Sequence, residues 1–456
     1  MDNREIEYLL DDTAKKCGVV GAQLALFDGQ ALREFTTGYR NRELNLPVTR
    51  DTLFQIGSTT KVFNAVLALS LVEAGEVQLD IPVRNYISEF RLADVDAGQK
   101  ITLRQLLSMS GGLDNGPYYD FGRGDDALGR YVEVLSGVPH IFVPGSAFGY
   151  SNASSVVAGY VAAKVTDTTW ERCLSERVWK PLGLKRSALF AEELLEHPVA
   201  LGYRGNPTGS TIERSHVWSY PRSQAPSGSL TCCSAGDLVR LAVMLLNGGM
   251  SMEGNRVLSD DHVDLMHTPQ VRLPTKQIAD DWCIGPFRKE WDSLAIYGHS
   301  GTNFSGSSML LWCPERKVAI ATVVNVASQG YPFADAIFDQ VFPRLFGINK
   351  PAAITPLNAR PIASDPYPYE GRFEAFGMSC TIEAERGQFK LSSETSLSAE
   401  RGAKQCDLIS LGSGRFLPCD PDVSGNRNWD IAFWGSDRNR RATNMLLGIF
   451  PLRRVG

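Results

Sequence analysis

Phe54-Gln55-Ile56-Gly57-Ser58-Thr59-Thr60-Lys61-Val62-Phe63 is the stretch on which the reading of this chain turns. Beyond Lys61, residues 62–74 carry Ala, Leu and Val at helical spacing, and Gly75 stands where a helix ends in a left-handed residue. The spacing predicts a buried helix with Ser58 in its first turn and Lys61 three residues on. Side chains at i and i+3 share a helix face, so the hydroxyl and the amine can meet. A serine hydroxyl is a poor nucleophile until a neighbouring base takes its proton. A lysine serves as that base when burial or a nearby cation lowers its pKa. The helix N-terminus adds N–H groups and a positive dipole end where an oxyanion would form. Ser-x-x-Lys is itself a common spacing, usually on a solvated helix face, so its chemistry depends on partners elsewhere in the chain.

Two further clusters offer them. Pro144-Gly145-Ser146-Ala147-Phe148-Gly149-Tyr150-Ser151-Asn152 is a turn followed by Tyr-Ser-Asn at a helix start. A phenol pressed against an ammonium loses its proton more easily and relays protons. The Asn152 amide beside it can fix the lysine and bind a substrate carbonyl. Taken alone, the pair reads as a buried tyrosine and a helix cap. Tyr297-Gly298-His299-Ser300-Gly301-Thr302 leads into a strand-like run. Gly301 lets the backbone approach a ligand, and the Thr302 N–H offers a second oxyanion donor beside that of Ser58. His299 is expected to hydrogen-bond the tyrosine or the substrate, although a lone histidine is usually a satisfied core or surface residue.

The 456 residues, 43% of them apolar, allow two or three domains and a sizeable core. A formal net charge of -5 with dispersed basic residues argues against nucleic acid and anionic membrane as partners. The charged start Met1-Asp2-Asn3-Arg4-Glu5-Ile6-Glu7 lacks an apolar run, and no stretch approaches a membrane span, so a cytoplasmic location is expected. Nine scattered cysteines without C-x-x-C spacing read as reduced thiols. His262 and His267 lie five apart, off the i, i+4 spacing of helix-borne ligands, so neither a metal nor a cofactor is implied.

Residues 3–17 form an amphipathic pattern, and residues 19–27 and 31–37 read as a hairpin around Asp28-Gly29. Thr102-Leu103-Arg104-Gln105 is a capping box, and residues 114–130 read as a long loop. Helices are expected over 151–165, 170–179, 234–246 and 333–346, and strands over 307–313 and 317–326. Helices therefore cluster mid-chain between terminal strands, which predicts an α+β fold: an antiparallel sheet flanked by helices, with an all-helical insertion. Five prolines in residues 350–368 mark a linker, and short alternating stretches at 373–376, 381–384, 428–434 and 444–450 predict a small all-β barrel or sandwich. The division is thus 1–349, a linker over 350–368, and 369–456.

Ser-x-x-Lys, Tyr-x-Asn and His-x-Gly in this order resemble the three motifs of the penicillin-recognising serine hydrolases. The likeness spans residues 5–348 and includes Leu106-Leu107-Ser108-Met109-Ser110-Gly111-Gly112-Leu113, Pro181-Leu182-Gly183-Leu184 and Pro226-Ser227-Gly228-Ser229-Leu230. The resemblance implies a β-lactamase/DD-peptidase-like fold, with a trailing module similar to a lipocalin-like barrel. It also implies roles. Ser58 attacks a carbonyl, Lys61 takes its proton, and Tyr150 serves the leaving group and then the incoming nucleophile. Asn152 and His299 orient these groups and the substrate, while the Ser58 and Thr302 amides, with Gly301 between strand and ligand, hold the oxyanion. Whether Lys61 or Tyr150 is the base stays open.

One departure bears on substrate. Class C β-lactamases and DD-peptidases usually place a lysine where His299 stands, and a neutral imidazole anchors a carboxylate weakly. The expectation is a serine hydrolase or acyltransferase acting on a small-molecule or peptide ester, thioester or amide, as an esterase or D-specific amidase/aminopeptidase does. The alternative is a stand-alone thioesterase that takes a peptide from a carrier protein and cyclises or hydrolyses it. A true β-lactamase and a non-catalytic binding protein are weaker readings. Tyr118, Tyr119, Trp218, Tyr220 and Phe304 are candidate cleft aromatics.

Overall fold

Every residue of strand Gly21–Phe27 is buried, as a near-continuous apolar run covered on both faces requires. It pairs antiparallel with Leu32–Asn41 on one side and with Val318–Val324 on the other, so the chain's early hairpin is stitched to a strand some three hundred residues later. The computed structural model describes residues 1–205, 212–385, 387–395, 402–420 and 430–455. Within them the main sheet runs in the order Leu46–Pro47, Leu32–Asn41, Gly21–Phe27, Val318–Val324, Ser307–Cys313, Leu294–Thr302, Phe287–Trp291, Asp281–Trp282, Val271–Arg272.

Each face of this sheet is sealed by helices. Asn3–Lys16 and Gly330–Val341 pack on one side through Ile6, Leu10, Phe333, Ile337 and Phe338. Ala235–Leu246 and Thr60–Glu73 cover the other, with the mid-chain helices Ala127–Val134 and Asn152–Thr166 beyond them. Thr60–Glu73 is buried around nearly its whole circumference, which suits its apolar composition. The Thr102–Gln105 capping box forms as expected, and Ser151 and Ser234 cap their helices by accepting from Ser154 N and Asp237 N.

The stretch expected to be loop over 114–130 is shorter than that. Helix Ala127–Val134 starts inside it because Ala127, Leu128, Tyr131 and Val132 form a buried stripe. Residues 350–368 carry neither helix nor strand. Beyond them eight strands close into a barrel, Gly371–Ala375 through Phe450–Val455, the first and last joined by the Arg372 to Val455 and Glu374 to Arg453 pairings. Alternate residues Phe373, Phe389, Leu391, Phe416, Phe433, Met445 and Leu452 point inward and fill the barrel. Of the strand expected over 428–434, Ile431–Trp434 is present, while Asn428 and Trp429 lie outside the described residues. Among the described residues no helix is long and apolar enough to cross a membrane.

Candidate active site

Ser58 sits in the short 3-10 turn Gly57–Thr59 that leads directly into helix Thr60–Glu73. The turn is anchored by hydroxyls. Thr60 Oγ1 donates to Gly57 O at 2.7 Å, and Ser308 Oγ donates to Ile56 O at 2.6 Å. One helical turn on, Lys61 Nζ lies 2.9 Å from Ser58 Oγ, 2.7 Å from Asn152 Oδ1 and 2.8 Å from the Ser227 carbonyl. Lys61 is 2% exposed. Burial without a paired carboxylate pushes its pKa well below that of an ordinary lysine. An amine that burial makes easier to deprotonate is placed, beside a hydroxyl, to act as its base.

Tyr150 completes the group. Its ring centroid is 4.8 Å from Lys61 Nζ, and its ring meets Trp282 edge-on at 5.7 Å. The barrel reaches the same residue. Phe450 packs edge-on against Tyr150 at 6.1 Å, and the Tyr150 N–H donates to Ile449 O at 3.0 Å. A second barrel contact holds the neighbouring loop, where Phe376 N donates to the buried Asp114 carboxylate at 2.7 Å. Asp114 O in turn accepts from Ser151 Oγ at 2.7 Å, tying that loop to the turn carrying Tyr150 and Asn152.

The strand Leu294–Thr302 runs hard against the Ser58 turn. A Cβ on Gly301 would collide with Ile56 O and stand 2.7 Å from Ser58 N, while one on Gly57 would stand 2.7 Å from Thr302 N. The two amides expected to share an oxyanion therefore belong to segments in direct contact. Gly228, at φ +113°, is required for a related reason, since any Cβ there would collide with Gly57 O.

One half of an expectation needs correcting: His299 does not bond the tyrosine, since its Nδ1–H donates to Ser300 O at 2.6 Å and its buried Nε2 has no partner among the described residues, which leaves Nε2 as an acceptor. Its pKa is pushed down to about 3 by burial first and by Lys61 second, so the ring is neutral. The Asn152 amide fixes the lysine through Oδ1, as expected, and one of its two Nδ2 hydrogens goes to Tyr118 OH at 2.7 Å. Tyr118 stacks on Tyr220 at 5.0 Å and Tyr220 on Phe304 at 4.3 Å, forming one aromatic wall. Tyr119 turns instead to Phe376 of the barrel. Trp218 enters this region through its backbone, its carbonyl accepting from Ser305 Oγ at 2.6 Å.

Residues 6–341 match the Beta-lactamase family. The chain belongs to that family. Within it, penicillin-binding protein 4 of Amycolatopsis lactamdurans is 33% identical over 362 residues, which is 79% of this chain and 94% of that protein. Esterase EstB of Burkholderia gladioli is 30% identical over 378 residues, 74% of this chain and 95% of its own length. Among solved structures, that of SurE superposes with a TM-score of 0.81 at 24% identity, covering 99% of this chain and 98% of that one, barrel included. This chain thus belongs to a β-lactamase-fold family of serine hydrolases, with both a penicillin-binding protein and an esterase among its relatives.

Sequence reasoning missed three parts of the site: the Ser227 carbonyl on Lys61, the Asn115–Tyr118–Asn152 cluster, and the barrel's Ile449–Phe450 on Tyr150. The first had a signal in the Pro226-Ser227-Gly228 turn, and the second had Tyr118 and Asn152 named as candidates without their contact; the third had none.

Proposed function

We propose that this protein is an acyl hydrolase or acyltransferase that forms an ester intermediate on Ser58. The observation that carries the reading is the 2.9 Å contact between Ser58 Oγ and a buried lysine whose pKa burial holds well below the ordinary value. Lys61 takes the Ser58 proton as the oxygen attacks. The carbonyl oxygen, now negative, is held by the Ser58 and Thr302 N–H groups. Tyr150, in contact with Lys61, hands a proton to the leaving group and receives one from the nucleophile that releases the acyl group, while Lys61 returns its proton to the departing Ser58 Oγ. Ser227 O and Asn152 Oδ1 hold the amine in place through both steps.

The substrate is an ester, thioester or amide without a carboxylate beside the scissile bond, because neutral, buried His299 supplies no cation there. That weighs against penicillin hydrolysis and favours the esterase and amidase side of the family. Turnover of p-nitrophenyl esters against that of a peptidyl-pantetheine thioester separates a simple esterase from a thioesterase; cyclic peptide with poor ester turnover moves the assignment to the latter.

The direct test is a fluorophosphonate followed by intact-mass measurement. One adduct is expected on the full chain, lost in Ser58→Ala; an unlabelled wild-type protein overturns the reading. The pH dependence of labelling is a second check. Burial disfavours the ammonium, so the rate is expected to rise as Lys61 loses its proton at a pH well below an ordinary lysine's. His299, already neutral, contributes no step between about pH 5 and 8. His299→Gln should therefore leave the shape of the profile unchanged.

A further inference from the structure

The two amides proposed to hold the oxyanion stand on separate segments, so their gap must be fixed by something that grips both. Strand Ser307–Cys313 pairs with Leu294–Thr302 in a register that sets Ser308 opposite Gly301 and Ser307 opposite Thr302. Residues directly opposite share a face of the sheet, and neighbours along a strand point to opposite faces. Gly301 has no side chain, so nothing at that position bars the Ser308 hydroxyl from the Ser58 turn. Ser308 Oγ donates to Ile56 O at 2.6 Å. With its one hydrogen spent there, it accepts from Thr59 Oγ1 at 2.8 Å. Ile56 and Thr59 bracket Gly57 and Ser58, so this one oxygen grips the turn before and after the nucleophile. Ser307 treats the other donor alike. Its Oγ donates to Gly301 O at 2.9 Å and accepts from Thr302 Oγ1 at 3.2 Å. Gly301 O and Thr302 N belong to one planar trans peptide, whose C=O and N–H point opposite ways. Holding that oxygen therefore aims the Thr302 N–H. Both serines are 3% exposed, so each carbonyl they serve would be costly to leave unpaired.

We propose that Ser307 and Ser308 are positioning residues for acyl transfer. From the neighbouring strand they set the separation and the aim of the two oxyanion N–H groups, Ser308 through the Ser58 turn and Ser307 through the Gly301–Thr302 peptide. This inference rests on the acyl-enzyme reading above. Neither serine exchanges a proton with the reactants; each acts through the backbone it holds. Charge reaches the carbonyl oxygen only in the transition state, and donors serve it best when they are already in place. Loss of either hydroxyl should therefore weaken transition-state binding and spare the ground state.

The test compares full-length wild type with Ser307→Ala and Ser308→Ala, using p-nitrophenyl acetate as substrate and phenylboronic acid as inhibitor. Boron accepts a lone pair from Ser58 Oγ as Lys61 takes the hydroxyl proton, and the tetrahedral anion places a boron-bound oxygen where the oxyanion would lie. Each variant is expected to lose about tenfold in kcat, the worth of one misdirected hydrogen bond. The inhibition constant of the boronic acid should rise by a similar factor, with KM within about twofold. Ser308→Cys fills the same space with a much weaker donor and should lose as much as Ser308→Ala; full activity in it would assign the loss to packing and overturn the inference. A lower melting temperature with kcat and boronic acid affinity unchanged would overturn it too. So would a fall in kcat without weaker inhibition, which marks inactive protein, or equal rises in KM and the inhibition constant, which mark a deformed cleft. A wild-type chain that neither takes the fluorophosphonate nor is inhibited by the boronic acid defeats the acyl-enzyme reading, and this inference with it.

Discussion

Lys61→Met is expected to lower kcat/KM for acylation by about a thousandfold, within the range of roughly 10²–10⁴ that a positioned general base supplies. Methionine keeps the length of the buried stem and removes only the amine, so helix Thr60–Glu73 retains its packing. The loss is large because Lys61 Nζ lies 2.9 Å from Ser58 Oγ, with the ring of Tyr150 pressed against the same amine. Fluorophosphonate labelling and ester turnover should fall together; a variant retaining a tenth of wild-type rate would return the base role to Tyr150. Protein stability carries a matching signature. The unfolded lysine holds its proton up to its ordinary pKa, and the folded one gives it up earlier, so the unfolded state binds more protons across that interval. Wild-type stability accordingly gains with pH through that window relative to Lys61→Met, which thermal melts at successive pH values would reveal.

Gly301→Ala is expected to cost about 10²–10³ in kcat, the usual loss when an oxyanion donor is displaced. The added methyl meets Ile56 O and crowds Ser58 N at 2.7 Å, so the strand carrying Thr302 must draw away from the Ser58 turn. Both proposed donor amides move apart at once. KM should change little by comparison, because the damage falls on a charge that exists only in the transition state. Steady-state kinetics on a simple ester, with a thermal melt to verify folding, decides the matter; a kcat within threefold of wild type would mean that the strand yields without disturbing the amides.

How far the sequence foretold this molecule differs from element to element. Helix Thr60–Glu73 and the strands around residues 21–27, 307–313 and 318–324 were legible because burial imposes a period that side chains must obey. Ser58, Lys61, Tyr150, Asn152 and His299 were legible as types at motif spacing, and the structure gathers them at one site. The Ser227 carbonyl was not, since every residue has a carbonyl and only the fold says which one faces an amine. The Asn152–Tyr118 bond escaped for a different reason: an amide offers both a donor and an acceptor, and only the partner on its oxygen decides where its nitrogen points. His299 shows the same limit, its tautomer being set by a backbone oxygen one residue away.

The barrel's Ile449 and Phe450 sit directly behind Tyr150. The appended module is therefore no detachable cassette. A chimera that transplants the barrel from a cousin, or deletes it to leave the hydrolase part alone, strips the phenol's backing and one backbone hydrogen bond together. Anyone re-engineering this chain has to treat a contact three hundred residues downstream as belonging to the tyrosine itself.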